Sequence, residues 1–147
     1  MPPCPVALSI RQQQLIDDFQ IIEDPQERLG AVVDRARKAK PLPEHDKTEV
    51  NRVQGCQSQV WLIATWVGDT CIFSSDSDSP LVKGLVRLIC DFFSGEPAAH
   101  ILENAGTCDP VALLDLSRNL SPTRINGLAA VRRKIRELAS VPAPDNT

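Results

Sequence analysis

One stretch of the sequence constrains the fold more than any other: an apolar run that is followed at once by a turn. Val60–Val67 reads Val-Trp-Leu-Ile-Ala-Thr-Trp-Val, a composition typical of a β-strand. Gly68 and Asp69 form a two-residue turn signal, and residues 70–74 return as a second strand-like segment. The pattern predicts an antiparallel hairpin near the middle of the chain.

Helix signals lie on both sides of this hairpin. Five polar residues that precede apolar segments are candidate N-caps. They are Ser9, Asp24, Ser79, Asp109 and Ser121. All but Ser9 are followed by proline, which favours the first helical position. The apolar stripes predicted to face the core include Ile10 in the first helix and Ile125 in the last. Residues 51–53 form a weaker candidate strand. The order of elements predicts an α+β fold, in which a small antiparallel sheet of about three strands packs against helices.

Length and charge restrict the class of protein. The 147 residues suffice for one domain, and we expect a single domain over 1–147, with an ordered core at about 9–139 and flexible termini. The net charge of −3 argues against non-specific nucleic-acid binding. No run approaches the roughly 18 apolar residues of a membrane span, and the N-terminus lacks the pattern of a secretory signal. We therefore expect a cytoplasmic protein.

The cysteines give a second indication of compartment and chemistry. There are five, at positions 4, 56, 71, 90 and 108, and none forms a Cys-x-x-Cys pair. In a chain without an export signal, reduced thiols are expected rather than a disulfide framework, and no zinc site is predicted. Cys71 and Cys90 lie in apolar segments and are predicted to be core residues. Cys4 and Cys108 are given no role.

Cys56 has the setting of a reactive thiol. It follows Gly55, which can adopt a positive φ in a tight turn, and it is flanked by glutamines. The alternative is that Cys56 packs as a small hydrophobic residue, as most free cysteines do. A polar turn is a poor place for such packing, so the sequence favours a thiol that another molecule can reach.

Three ordered blocks carry a resemblance to a known family. The first is Asn-Arg-Val-Gln-Gly-Cys-Gln-Ser-Gln-Val-Trp-Leu at 51–62, and the others are Asp-Ser-Asp-Ser-Pro-Leu-Val-Lys-Gly-Leu at 76–85 and Leu-Ser-Pro-Thr-Arg-Ile-Asn-Gly-Leu at 120–128. They resemble the SufE family, the sulfur-acceptor proteins of iron–sulfur cluster assembly. The resemblance spans about Ser9 to Ala139 and implies a two-layer architecture of the SufE and IscU type.

The resemblance also implies a function. Cys56 would take sulfur as a persulfide from a pyridoxal-phosphate-dependent cysteine desulfurase of the SufS type, stimulate that enzyme, and deliver the sulfur to a scaffold complex of the SufB type. The chain would need no cofactor or metal of its own, because the pyridoxal phosphate belongs to the desulfurase. No nucleic-acid or membrane partner is expected, and a homodimer stays open.

Further site residues follow from the matching blocks. Gly55 and Gln57 flank the cysteine, while Asp78 and Arg124 occupy positions that the resemblance associates with placing the cysteine loop or docking the desulfurase. Asp76 is interpreted as a carboxylate that favours the start of the next helix. Asn119 stands where family members often carry histidine, which leaves its local effect open.

Two basic features have competing interpretations. Arg52 could favour a Cys56 thiolate if its side chain folded back, whereas the simpler interpretation is a solvated arginine. Residues 132–136 contain four basic side chains, interpreted as a solvent-facing helix surface with an acidic partner's docking surface as the alternative.

Two other functions compete with the sulfur carrier. An iron–sulfur scaffold of similar fold would need three converging cysteines, and only Cys56 has a convincingly exposed setting. A non-catalytic regulator would stimulate a desulfurase without using Cys56. A cysteine hydrolase is disfavoured because neither His45 nor His100 has a local signature for a catalytic base.

Overall fold

The computed structural model describes residues 4–118 and 120–141 of the chain. The elements follow one another as helices α1 (Ile10–Gln20) and α2 (Pro25–Arg37), a 3-10 helix (Glu44–Asp46), strands β1 (Val60–Val67) and β2 (Thr70–Ser77), helix α3 (Pro80–Phe93), strand β3 (Glu96–Pro97), and helices α4 (Ala98–Asn104), α5 (Pro110–Leu113) and α6 (Pro122–Ser140). The predicted α+β fold is confirmed. Within the described residues, no helix combines the length and apolar character needed to cross a membrane.

All five predicted N-caps begin helices. In each case the capping side chain accepts a hydrogen bond from a backbone N–H two or three residues later, which satisfies one of the free donors of the first turn. Ser9 forms a reciprocal pair with Gln12, whose side-chain oxygen accepts from the Ser9 N–H at 3.1 Å. Local sequence therefore determines where these helices start.

The sheet contains the predicted hairpin and one unexpected strand. β1 and β2 pair antiparallel from Val60↔Ser77 to Val67↔Thr70, so β2 runs three residues beyond the predicted 70–74. The third strand is not 51–53: β3 pairs with the opposite edge of β2, through Cys71↔Glu96. Because turns lie on both sides of 51–53, that segment forms only a single β-bridge, between Arg52 and Trp61.

Helix α3 is the centre of the core because it packs against both β2 and α2. Its apolar face is fully buried, and Gly84 allows the close approach to α2, since a Cβ there would lie 2.8 Å from the Cα of Val33. Two predicted core residues are wrong: Ile10 is 91% exposed and Ile125 is 42% exposed. Both lie in the first turn of their helix, and the buried residues of α6 begin only at Gly127.

Arg28 is buried, although the sequence does not predict it. Its guanidinium donates to the carbonyl oxygens of Leu114 at 2.7 Å and Ile22 at 3.0 Å, and more weakly to that of Phe19 at 3.3 Å. Carbonyl oxygens at the end of α1 have no partner within the helix, so Arg28 supplies donors there and joins the end of α1 to α5.

The expectation of five reduced thiols is wrong for one pair. Cys4 and Cys108 form a disulfide with a Cα–Cα distance of 4.5 Å. Asn104 reinforces the same attachment, because its side chain accepts from the N–H of Val6 at 2.9 Å and donates to the Val6 carbonyl at 3.1 Å. The sequence gives no sign of this pairing across a separation of 104 positions, since only the fold brings the N-terminal segment beside α4.

Candidate functional site

Cys56 lies on the turn that the sequence predicts. Gly55 has a φ of +96°, a backbone conformation that side-chain-bearing residues rarely adopt. The thiol is half-buried, and its Sγ donates a hydrogen bond to the carbonyl oxygen of Gly127 at 3.3 Å. The cysteine is therefore neither an inert core residue nor a freely exposed one.

The loop that carries Cys56 runs antiparallel along helix α6. Cys56 lies over Gly127, where an added Cβ would be 3.4 Å from the sulfur, and Gly55 lies over Ala130, whose Cβ would be 3.3 Å from a Cβ built on Gly55. Further along, Lys134 Nζ donates to the carbonyl oxygen of Val50 at 3.2 Å. Small residues at 127 and 130 let the loop backbone approach the helix closely.

Both ends of the loop are fixed to the sheet. On the incoming side, the N–H of Val53 donates to Val60 and the N–H of Leu62 donates to Asn51, each at 2.8 Å. On the outgoing side, Asp78 accepts from the N–H of Gln59 at 3.0 Å through its carboxylate, and its own N–H donates to the Gln59 carbonyl at 3.3 Å. The turn at Cys56 is thus held between fixed ends.

A small cavity of about 70 Å³ lies beside the thiol. Apolar residues of α3 and α6 form most of its walls, and Gln57 and Arg124 lie at its polar side. The complete lining is Cys56, Gln57, Ser58, Val82, Leu85, Val86, Thr123, Arg124, Gly127 and Leu128. Binding sites for cofactors and drug-sized ligands are usually several hundred Å³ in volume. This cavity is too small for such molecules and large enough for one or two heavy atoms attached to Cys56.

Burial raises the pKa of the Cys56 thiol above its ordinary value of 9.0, and the positive charges of Arg133 and Arg52 oppose that rise without overcoming it. Arg52 also forms an ion pair with Glu49 at 3.3 Å. Both interpretations of Arg52 are therefore partly correct. Its side chain is partly exposed to solvent, and its charge lowers the pKa of the Cys56 thiol.

The comparisons with known proteins bear on the whole of this site. A family model described as "SufE: Fe-S metabolism associated domain" matches residues 13–139. The chain belongs to the SufE family. An uncharacterized SufE-like protein of Rhizobium etli is 37% identical over 134 residues, covering 88% of this chain and 90% of that protein. SufE-like protein 1, chloroplastic/mitochondrial, of Arabidopsis thaliana is 37% identical over 117 residues, covering 79% of this chain and 31% of the plant protein.

The fold agrees with this assignment. The solution structure of a hypothetical protein from Thermus thermophilus superimposes with a TM-score of 0.70, covering 90% of this chain and 96% of that one. At 21% identity this likeness shows the fold alone. The SufE-family match connects the chain with iron–sulfur metabolism, and its range contains Cys56, Asp78 and Arg124.

The structure brings together some of the predicted SufE site residues and separates others. Gly55, Cys56 and Gln57 form the turn, and Arg124 lines the adjacent cavity. Asp78 lies at the other end of the loop, and among the described residues it makes no ion pair with Arg124. The roles of these residues in docking stay predictions. Asn119 lies outside the described residues.

The interpretation of Asp76 is wrong. It lies in β2 rather than at a helix start, it is 4% exposed, and it accepts from the N–H groups of Leu42 at 3.1 Å and Ser77 at 2.8 Å. Lys47 and Lys83 form ion pairs with it at 3.4 and 3.5 Å. Asp76 therefore ties the segment before the cysteine loop to the sheet and to α3. Sequence could not reveal this, because Leu42 and Lys47 reach it only through the fold.

The remaining free cysteines, Cys71 and Cys90, are buried in the core as predicted. Burial raises the pKa of the Cys90 thiol to about 12. In residues 4–118 and 120–141, no group of three or more His, Cys, Asp or Glu side chains is arranged to hold a metal ion.

Proposed function

We propose that this SufE-family chain accepts sulfur as a persulfide on Cys56 from a pyridoxal-phosphate-dependent cysteine desulfurase and passes it to a scaffold that assembles iron–sulfur clusters. One observation carries the proposal: among the free cysteines, only Cys56 reaches the surface, while Cys71 and Cys90 are fully buried. A second thiol nearby could attack the inner sulfur of the persulfide, form a disulfide and release the outer sulfur as sulfide, so a single accessible thiol suits a carrier.

The transfer step uses one thiolate and no cofactor of this chain. The Cys56 thiol loses its proton and attacks the outer sulfur of the donor's persulfide. A sulfur–sulfur bond forms on Cys56, the donor's sulfur–sulfur bond breaks, and the donor cysteine leaves as a thiolate. The number of sulfur–sulfur bonds is unchanged, so the step needs no oxidant or reductant.

The surroundings of Cys56 suit this step. The apolar cavity beside the thiol has room for one added sulfur atom. The raised pKa keeps the unpartnered thiol mostly neutral, so it reacts little until a donor approaches. For transfer, the thiol must leave the Gly127 carbonyl and turn outward, which requires the loop to move.

Intact-mass spectrometry tests the proposal. The chain is incubated with a cysteine desulfurase and free cysteine in the absence of reductant, and the expected product carries one added sulfur of ~32 Da that dithiothreitol removes. Peptide mapping should assign the sulfur to Cys56, and a Cys56→Ser variant should gain none. A faster desulfurase without any added mass would indicate a regulator instead, and a stable chromophore after anaerobic iron and sulfide addition would indicate a scaffold.

A further inference from the structure

A second cavity, of about 290 Å³, lies further along α6, beside residues 52–54 of the cysteine loop. Its charged residues are Arg52 on the loop and Arg133, Lys134 and Glu137 on α6, and Gln54 completes the side next to the turn. Three cations and one carboxylate line this cavity, and with Glu49, which pairs with Arg52 at 3.3 Å, the cluster keeps a net charge of +1. The chain as a whole has a net charge of −3, so this cluster is a positively charged region on a negatively charged protein.

The basic side chains of α6 do not all serve the same purpose. Arg132 is 14% exposed and forms an ion pair with Asp109 at 3.0 Å, and Arg136 donates to the Leu102 carbonyl at 3.2 Å. Lys134 holds the carbonyl of Val50. Arg133 is exposed and, within the described residues, has neither a hydrogen bond nor an ion pair. The neighbouring basic side chains of α6 therefore have partners within the fold, whereas the guanidinium of Arg133 is available to another molecule.

The position of the cavity connects it to the thiol. Gln54 is two residues from Cys56, and the loop from 50 to 56 follows α6 from Lys134 back to Gly127. The charges of Arg133 and Arg52 are the two that act on the Cys56 thiol. A molecule bound in this cavity would therefore lie directly against the segment that must move for Cys56 to reach a donor.

We propose that the cavity between Arg52, Arg133 and Lys134 docks an acidic surface segment of the sulfur-donating desulfurase. Guanidinium groups bind carboxylates through two parallel hydrogen bonds, so an arginine without an internal partner suits an aspartate or glutamate side chain. Docking there neutralises Arg133 beside the loop and aligns the donor with Cys56. This inference rests on the proposed function, because it names the surface by which the sulfur donor is recognised.

Charge reversal at Arg133 tests the docking surface. Every variant carries Cys56→Ser, so that thiol chemistry cannot affect the measurement, and the dissociation constant for a purified cysteine desulfurase is measured at low and high NaCl. Arg133→Glu is expected to weaken binding roughly tenfold or more at low salt, and the difference should shrink as the Debye length falls from about 10 Å at 0.1 M to about 3 Å at 1 M. Arg133→Lys should weaken binding less than Arg133→Glu does, because lysine keeps the positive charge and loses the two parallel hydrogen bonds.

Arg136→Glu is the matched control, since it makes the same charge change on the same helix outside the cavity. Circular dichroism and thermal unfolding confirm that each variant is folded. Equal affinities of Arg133→Glu and Arg136→Glu, at every salt concentration, would overturn the docking surface even if the wild-type chain accepts sulfur. A wild-type chain that neither binds a desulfurase nor gains sulfur would overturn both the docking surface and the proposed function.

Discussion

The Sγ of Cys56 donates a hydrogen bond of 3.3 Å to the carbonyl oxygen of Gly127, and this contact joins the cysteine loop to helix α6. The carbonyl lies inside the helix and has a second lone pair free for the thiol. A neutral thiol can donate this bond and a thiolate cannot. The contact therefore favours the protonated, resting form of Cys56, and the reactive form requires the sulfur to leave its site on α6.

The alkylation rate of Cys56 should depend on pH. Because burial raises the thiol's pKa above 9.0, the rate of alkylation by iodoacetamide should reach half its maximum only above pH 9.0. The neutral thiol stabilises the folded loop, and this contribution is present below the unfolded pKa and is lost as the pH rises through the folded one. Rates are measured by mass spectrometry of the Cys56 peptide from roughly pH 6 to roughly pH 10.5, a range that spans the usual thiol pKa. A rate that reaches half its maximum at or below pH 9.0 would contradict the raised pKa.

Gly127→Ala should loosen the contact between the loop and α6. The added methyl group would lie 3.4 Å from the sulfur, at the short limit of ordinary van der Waals contact, and 3.7 Å from the Cα of Cys56, so it favours a small outward shift of the thiol. We expect Cys56 to alkylate several-fold faster, with little change in stability, because alanine favours a helix over glycine by about 0.5–1 kcal/mol and offsets the crowding. Gly30→Ala in α2 is the control, since a Cβ there meets nothing within 4 Å. It should leave the alkylation rate unchanged.

Asp76→Asn should destabilise the chain at neutral pH. Burial alone raises the pKa of this carboxyl, but hydrogen bonds from Ser77 and Leu42 and the charges of Lys83 and Lys47 outweigh it, so the pKa is below the ordinary 3.8. We expect a loss of roughly 1–3 kcal/mol in the free energy of unfolding at pH 7, measured with urea, since a buried acceptor and two ion pairs are changed.

The effect of Asp76→Asn should also depend on pH in a defined direction. A lowered folded-state pKa contributes stability that is present above the unfolded pKa and is lost as the pH falls through 3.8 and below. The difference between wild type and variant should therefore narrow towards pH 3 (about one unit below the unfolded Asp pKa). Asp78→Asn, at an exposed carboxylate two residues away, should show a smaller loss at pH 7. Equal losses for the two variants would count against a special role for Asp76.

The disulfide should make the chain sensitive to reductant. In unfolded, unreduced protein only three of the five cysteines should react with iodoacetamide, and all five after reduction. A disulfide typically stabilises a protein by about 2–4 kcal/mol, and a sequence separation of 104 favours the upper end, so dithiothreitol should lower the unfolding free energy by that order. Cys4→Ser should have the lower stability already and should not respond to reductant. Five reactive thiols without reduction would show that the pair is not joined.

Much of this fold was predictable because its causes are local. The caps at Ser9 and Ser79, the strand Val60–Val67 and the turn at Gly68 depend on residues within a few positions of one another. The turn at Cys56 follows the same rule, since Gly55 supplies the positive φ that it needs. Resemblance added the function that chemistry alone left open, and the family match agrees with it at the level of iron–sulfur metabolism.

The failures share the opposite property. β3, the pairing of Cys4 with Cys108 and the buried Asp76 each depend on partners that are distant in sequence. Periodicity also misplaced Ile10 and Ile125, because a helix's apolar stripe is buried only where another element covers it.

The sequence by itself determined the helices, the hairpin and the presence of one cysteine on a polar turn, since each follows from short-range backbone preferences and patterning. Only the tertiary structure decided what surrounds that cysteine. Helix α6 places Gly127 under the thiol, an apolar cavity on one side and Arg133 on the other, although Gly127 is 71 residues away in the chain. Burial, hydrogen bonding and charge act through space, and those forces make Cys56 different from the other four cysteines.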